Sequence, residues 1–243
     1  MGILARYEPS NTRELWRNAA VFTIFQAAGW TDFFECLNGF HCESALQFAL
    51  NLTETHSKVW GLHIEVSEAI MAEVTSLPQV GRTWFRHQTP ATAAVQDFLM
   101  EGEQVQMRQR GIVLQSLPQP WNQVAIFLKK YITHEGRYQT VYNSELPLLS
   151  HLCHRILLNI PYYLLNDLHH MAWFVQAAKH PLTSLTHHGL IKLIILRNLS
   201  QHNITLEQFT AQAQEPAPFP GVPIEEEQNQ EEPVYPQLGG NAE

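Results

Sequence analysis

A chain of 243 residues, 45% of them apolar, is long enough for one substantial core or for two small ones packed together. Its formal net charge of −8 is unevenly placed: eight acidic residues (Glu207, Glu215, Glu225, Glu226, Glu227, Glu231, Glu232 and Glu243) and no Lys or Arg lie from residue 207 onward. The other 15 acidic residues balance all 15 basic ones, so the body is neutral, which speaks against a protein whose affinity comes from broad neutralisation of nucleic-acid phosphates.

In chain order, Asn11 is placed to cap a helix over Arg13–Ala28, in which Leu15, Trp16, Ala19, Ala20, Phe22 and Phe25 recur near helical spacing and Gly29 supplies a stop. A second helix is expected over Glu43–Leu52, with Ala45, Phe48, Ala49 and Leu52 on one stripe. In Lys58–Val66 the alternation of Leu62, Ile64 and Val66 with polar partners reads as a short strand or hairpin arm. Ser67 then caps a helix over Glu68–Thr75, which Leu77-Pro78 ends.

Residues 78–120 hold four prolines and the polar stretch Gln104–Arg110; a helix over Ala91–Met100 is expected there, and the rest reads as a surface insertion. Trp121–Ile132 is helical, with Val124, Ala125, Phe127, Leu128 and Ile132 on one side. Ser144 and Glu145 begin a helix carrying Leu146, Leu149, Leu152, Cys153, Ile156 and Leu157, with Pro147 tolerated in its first turn. Pro161 opens another, through about Lys179, with Tyr162, Leu165, Leu168, His169 and Ala172 expected to face inward. Thr183 or Ser184 precedes a last helix, Leu185–Leu199, with Leu190, Leu193, Ile194 and Leu196 expected inside. After Gln214 the composition turns to proline, glutamate and glutamine, which bury too little apolar surface to offset ordering entropy. The expectation is a mainly α, multi-helix domain over 11–210 with a small β-hairpin element, then a disordered acidic C-terminal tail over 211–243.

Catalytic signatures are missing from the sequence. It has no Gly-x-Gly, no Gly-Lys and no Gly-x-Ser-x-Gly, so dinucleotide fingerprint, Walker loop and nucleophile elbow all fail. Cys36, Cys42 and Cys153 form no Cys-x-x-Cys pair. Cys153 and His154 are neighbours on a helix and do not face each other as a dyad would. The only aspartates are Asp32, Asp97 and Asp167, and a two-metal triad built from two of them with Glu207 needs several strands, whereas the sequence offers at most one hairpin. Thirteen histidines include His151-x-x-His154, His169-His170 and His187-His188; the first pair shares a helix face, as metal ligands do, but no carboxylate stands beside it as in a His-Glu-x-x-His helix. The six tryptophans lie mostly on apolar helical faces, where core packing is the default reading. Met1–Pro9 lacks a leader-like apolar stretch, and the odd cysteine count suits a reducing compartment, so the expected location is intracellular, nucleus or cytoplasm left open. Three Asn-x-Ser/Thr matches, at Asn51, Asn198 and Asn203, then count as chance. No apolar run approaches the roughly 18 residues of a membrane span.

Several stretches recur in a familiar order: Trp30-Thr31-Asp32-Phe33-Phe34, Ala45–Leu52, Val59-Trp60-Gly61-Leu62-His63-Ile64-Glu65-Val66-Ser67, Leu77-Pro78, Gly136–Tyr142 and Leu182–Ile191. Across roughly residues 14–200 this order resembles the plant transposon protein domain, a family found in open reading frames linked to long-terminal-repeat retrotransposons, often in the gag-like region. The resemblance implies an origin rather than an activity, and it brings no catalytic residues or cofactor. The chain departs from a full gag polyprotein in lacking a zinc knuckle, a basic tail and an Asp-Thr/Ser-Gly protease motif.

The leading functional expectation is a non-enzymatic structural or interaction module of a transposon-derived protein, self-associating with copies of itself as a capsid-like building block. A second is nucleic-acid binding through Arg108, Arg110, Lys129, Lys130 and Arg137, which requires these residues to converge on one face. A third is a metal-dependent enzyme using the His151/His154 region.

Overall fold

The computed structural model describes residues 17–37, 42–83, 107–108, 111–134, 139–142, 145–154, 157–178 and 185–212. Most of these are helical: α1 (Ala19–Ala27), α2 (Thr31–Cys36), α3 (Cys42–Leu50), α4 (Glu68–Thr75), α5 (Trp121–Leu128), α6 (Leu146–His154), α7 (Ile160–Ala177), α8 (His188–Gln201) and α9 (Leu206–Gln212). A hairpin of β1 (His56–Val59) and β2 (Leu62–Glu65) joins α3 to α4, with Val59 opposite Leu62 across the turn. The mainly α class with a small hairpin therefore holds. The expected helix over 91–100 and the tail over 211–243, Ala211 and Gln212 apart, lie outside the described residues.

Helix α1 starts where a cap is available. Asn18 Oδ1 accepts from the Val21 amide at 3.2 Å, and Asn18 also hydrogen-bonds Gln123 on α5, so the cap doubles as a tie between helices. Gly29 at φ +74° ends the helix. Ser67 caps α4 as its sequence signature predicts, with Oγ accepting from the Ile70 amide at 3.2 Å.

The inward stripes of α1, α2 and α5 meet in an aromatic cluster. Phe25 lies edge-on to Phe34 at 4.9 Å between ring centroids, Phe34 edge-on to Phe127 at 4.8 Å, and Trp30 is buried beside them. The longest helix, α7, runs along α4 and α3, and α8 packs on α3, α4 and β2. Its Asn198, fully buried, accepts the Glu65 amide at 3.1 Å and donates to the Ile194 carbonyl at 2.9 Å, completing the edge of β2. A glycan on Asn198 is thereby sterically excluded.

Six expectations need correction. The helix expected over Arg13–Ala28 is interrupted at Asn18, which caps a new start at Ala19. The helix expected to carry Ile156 and Leu157 ends at His154, and Leu157 lies beyond it, 60% exposed. The sequence offered one hairpin, but a second antiparallel sheet, β3–β4–β5 (Met107–Arg108, Gly111–Val113, Thr140–Tyr142), stands beside it. Gly111 is required there, since a Cβ would sit 2.0 Å from the Val141 carbonyl oxygen. The inward face of α7 is Tyr163, Leu164, Asp167, Leu168, Met171, Ala172 and Val175, about one position round from the face expected. Helix α8 begins at His188 rather than Leu185, and its buried stripe includes Ile191 and Ile195, whereas Leu196 is exposed. Finally, the helix at 121 does not run on as α-helix: it passes into a π-helical turn, Lys129–Thr133.

Candidate functional site

That π turn carries the first of two buried polar centres. Lys129 and Glu145 are 1% and 3% exposed at their side chains, and Lys129 Nζ donates to Glu145 Oε2 at 2.5 Å. Glu145 also accepts the Thr133 hydroxyl at 2.6 Å and the Tyr142 amide at 2.8 Å. The wider π turn brings Lys129 and Thr133, four residues apart, onto one carboxylate, and the Lys129 ammonium stands 4.8 Å above the Tyr142 ring. Glu145 thus pins the π turn, β5 and the start of α6 together.

The second centre joins α7 to the start of α8. His187 Nε2 donates to Asp167 Oδ2 at 2.8 Å with both side chains buried, and His134 sets its ring edge-on to His187 at 4.6 Å. His134 and His187 both hold left-handed backbone, at φ +50° and +57°. An Asp–His pair of this kind orients a general base in many hydrolases, but a base must reach its substrate. His187 is 4% exposed and its Nε2 is spent on Asp167, so the pair acts as a strut between helices.

The residues singled out in the sequence fall apart under this geometry. Lys129 presents no ammonium to solvent, because Glu145 takes it. Lys130, next in sequence, is exposed, with Nζ 5.4 Å from the Tyr131 ring. Arg110 and Arg137 lie outside the described residues; Arg108 belongs to β3. His151 Nδ1 accepts the Leu158 amide at 3.3 Å and its ring lies 5.8 Å from Trp30, whereas His154 is exposed. Asp167 is engaged by His187, and Asp97 lies outside the described residues. Among the described residues no group of three or more His, Cys, Asp and Glu side chains is placed to hold a metal ion. Nor is any helix among them long and apolar enough to cross a membrane.

What the sequence did not single out is the outer face of α7. Trp173 and Phe174 are 61% and 46% exposed, against a core in which Trp30 is 1% exposed. His170 lies one turn back, its ring near-parallel to Trp173 (19°, centroids 6.5 Å) and edge-on to Phe174 (4.7 Å). Trp173 and Phe174 are themselves edge-on at 4.9 Å, so the three rings make two roughly perpendicular apolar walls. Between Ile160 and Ala177 the only Asp, Glu, Lys or Arg is Asp167, which is buried, so this face carries no fixed charge. Tryptophan in contact with water on such a face is the pattern of a recognition surface.

His169, beside this face, gives a pH test. Its Nε2 is buried with no hydrogen-bond partner among the described residues, and burial pushes its pKa below the usual 6.5, opposed by the nearby charge of Glu54. A histidine lowered in the fold takes up its proton first in the unfolded chain. Its stabilising contribution is therefore complete above 6.5 and is lost as pH falls through that value, levelling off below the folded pKa. Urea midpoints measured between about pH 7.5 and 5 should fall less steeply for His169→Gln than for the native chain; parallel slopes would show that His169 does not titrate this way.

No family model matches the chain, and neither does any curated protein or solved structure.

Proposed function

We propose that this chain is a non-enzymatic interaction module of a transposon-derived protein, and that it self-associates through the outer face of α7. The observation that carries this reading is the uncharged Trp173–Phe174–His170 surface. The two exposed rings offer on the order of 200 Å², given ~150–250 Å² per aromatic side chain. A stable interface covers ~800 Å² per partner, so the contact is weak and depends on concentration. A surface without fixed charge meets its like without a desolvated ion, whereas a single-stranded nucleic acid calls for cations around the stacking rings.

The transposon lineage rests on the order of the landmark motifs. Phe33, Phe34, Ala45, Phe48, Val59, Ile64 and Val66, which those motifs contain, are core residues, so what resembles the family is a packing pattern. The two buried polar centres, Lys129–Glu145 and His187–Asp167, tie elements of the fold together, which supports the non-enzymatic half of the reading.

Light scattering of the full chain over a series up to ~1 mM, the affinity range of a small interface, is the test. The weight-average mass should rise with concentration, and Trp173→Ala with Phe174→Ala should hold it at the monomer. A native chain that stays monomeric throughout, or a double variant that associates equally well, overturns the reading.

A further inference from the structure

The aromatic face of α7 has a second candidate occupant in the same chain, and the position of the last described helix points to it. Phe209 on α9 packs on Trp60 with ring centroids 4.6 Å apart. The Trp60 amide donates to Gln47 Oε1 at 3.0 Å. Gln47 lies on α3, and the carbonyls of Ala49 and Leu52 at the end of that helix accept Gln176 Nε2 at 3.0 and 3.1 Å. Gln176 is one turn beyond Trp173 on α7. These contacts tie the last described helix, through α3, to the C-terminal turn of the helix that carries the exposed rings.

The sequence that follows Gln212 has the composition such rings bind. Pro216-Ala217-Pro218-Phe219-Pro220-Gly221-Val222-Pro223 puts proline at nearly every second position and contains no charged residue. Proline-dense segments present pyrrolidine rings on a backbone that loses little entropy on docking, and they are recognised by clefts walled with aromatic side chains. Pro220 is eight residues past Gln212, a reach of ~26 Å for extended chain. Glu215 and the acidic run Glu225–Glu227 flank this segment, and the segment itself brings no carboxylate to the rings.

We infer that the segment Pro216–Pro223 docks in cis on the Trp173–Phe174–His170 face and competes there with a second copy of the chain. This rests on the reading of that face as the self-association surface. A short tether holds the segment at an effective concentration in the millimolar range, so even a millimolar site is about half occupied and association is weakened without being abolished.

The test uses the full chain labelled with 5-fluorotryptophan, with the Trp173 resonance assigned by its loss in Trp173→Phe. Replacing Pro216, Pro218, Pro220 and Pro223 together by alanine should shift that resonance. A synthetic peptide of residues 214–225 added to this variant should return it toward its native position. The same variant should self-associate at a concentration about two- to tenfold lower than the native chain, as the competing tether is removed. A Trp173 resonance unmoved by the four replacements overturns the inference, whatever the peptide does. A resonance that moves while the solution mass does not change leaves the docking in place and removes self-association, so the two readings fail separately.

Discussion

Lys129→Met is expected to destabilise the fold by about 3–5 kcal/mol, the usual cost of removing one partner from a buried ion pair. In a domain of this size that is a fall in Tm of about 10 °C. The cause is what remains. Glu145, 3% exposed, keeps the Thr133 hydroxyl and the Tyr142 amide but loses the only cation that contacts it among the described residues. Methionine fills nearly the same volume as the lysine stem, so little of the loss is a cavity. The double variant Lys129→Met with Glu145→Leu removes both charges and should recover much of the stability, though Thr133 and the Tyr142 amide then lose the Glu145 carboxylate. Thermal unfolding of the two variants checks this: a single variant as stable as the native chain would mean that the pair is open to water. The same result bears on nucleic-acid binding, since a Lys129 needed by Glu145 cannot neutralise a phosphate.

The parts of the fold that were legible in the sequence are those decided locally. Ser67, the apolar spacing after it and Leu77-Pro78 define α4 because cap, stripe and stop all lie within a dozen residues. The alternation at Leu62, Ile64 and Val66 marks β2 for the same reason. Helix α7 shows the limit. Tyr162, Tyr163, Leu164, Leu165, Trp173 and Phe174 surround it with apolar side chains, so periodicity alone allows two inward faces. Packing against α3 and α4 selects the one that buries Tyr163 and Leu164, and Trp173 and Phe174 are left in water. The aromatic surface escaped notice because a tryptophan on an apolar helix reads as core.

The second sheet was hidden for a different reason. Its strands are two or three residues long, too short for alternation to register, and β3 lies in a Gln/Arg stretch with no apolar pattern. The polar centres could not be read at all. Glu145 lies 16 residues from Lys129, and His187 lies 20 from Asp167, with no spacing rule joining either pair. Each also departs from regular backbone, through a π turn in one and left-handed histidines in the other, and such departures arise from tertiary pairing. Local signals thus set the helices, while the pairings that lock them together emerge only in the assembled fold.

The Asp167–His187 strut yields the second large effect. His187→Ala is expected to cost about 3–5 kcal/mol, because it takes the buried His187 donor from the Asp167 carboxylate, 1% exposed at its side chain, and removes the ring that His134 meets edge-on. Asp167→Asn is expected to cost only about 1 kcal/mol, since an amide in the same place still hydrogen-bonds Nε2 and carries no charge to desolvate. In the Asp167→Asn background, His187→Ala should therefore be much milder than in the native chain, with a coupling between the sites of at least about 1.5 kcal/mol. Urea unfolding of the four proteins in this cycle measures that coupling. Additive losses would mean that His187 matters only for its contacts with His134 and the start of α8. A strong coupling means that one buried hydrogen bond fixes the angle between α7 and α8. Because Trp173 and Phe174 ride on α7, a variant with that bond cut should also associate less well at temperatures where it is still folded. Light scattering on His187→Ala, held well below its Tm, connects the strut to the surface: a mass profile identical to the native one would show that the aromatic face keeps its geometry without it.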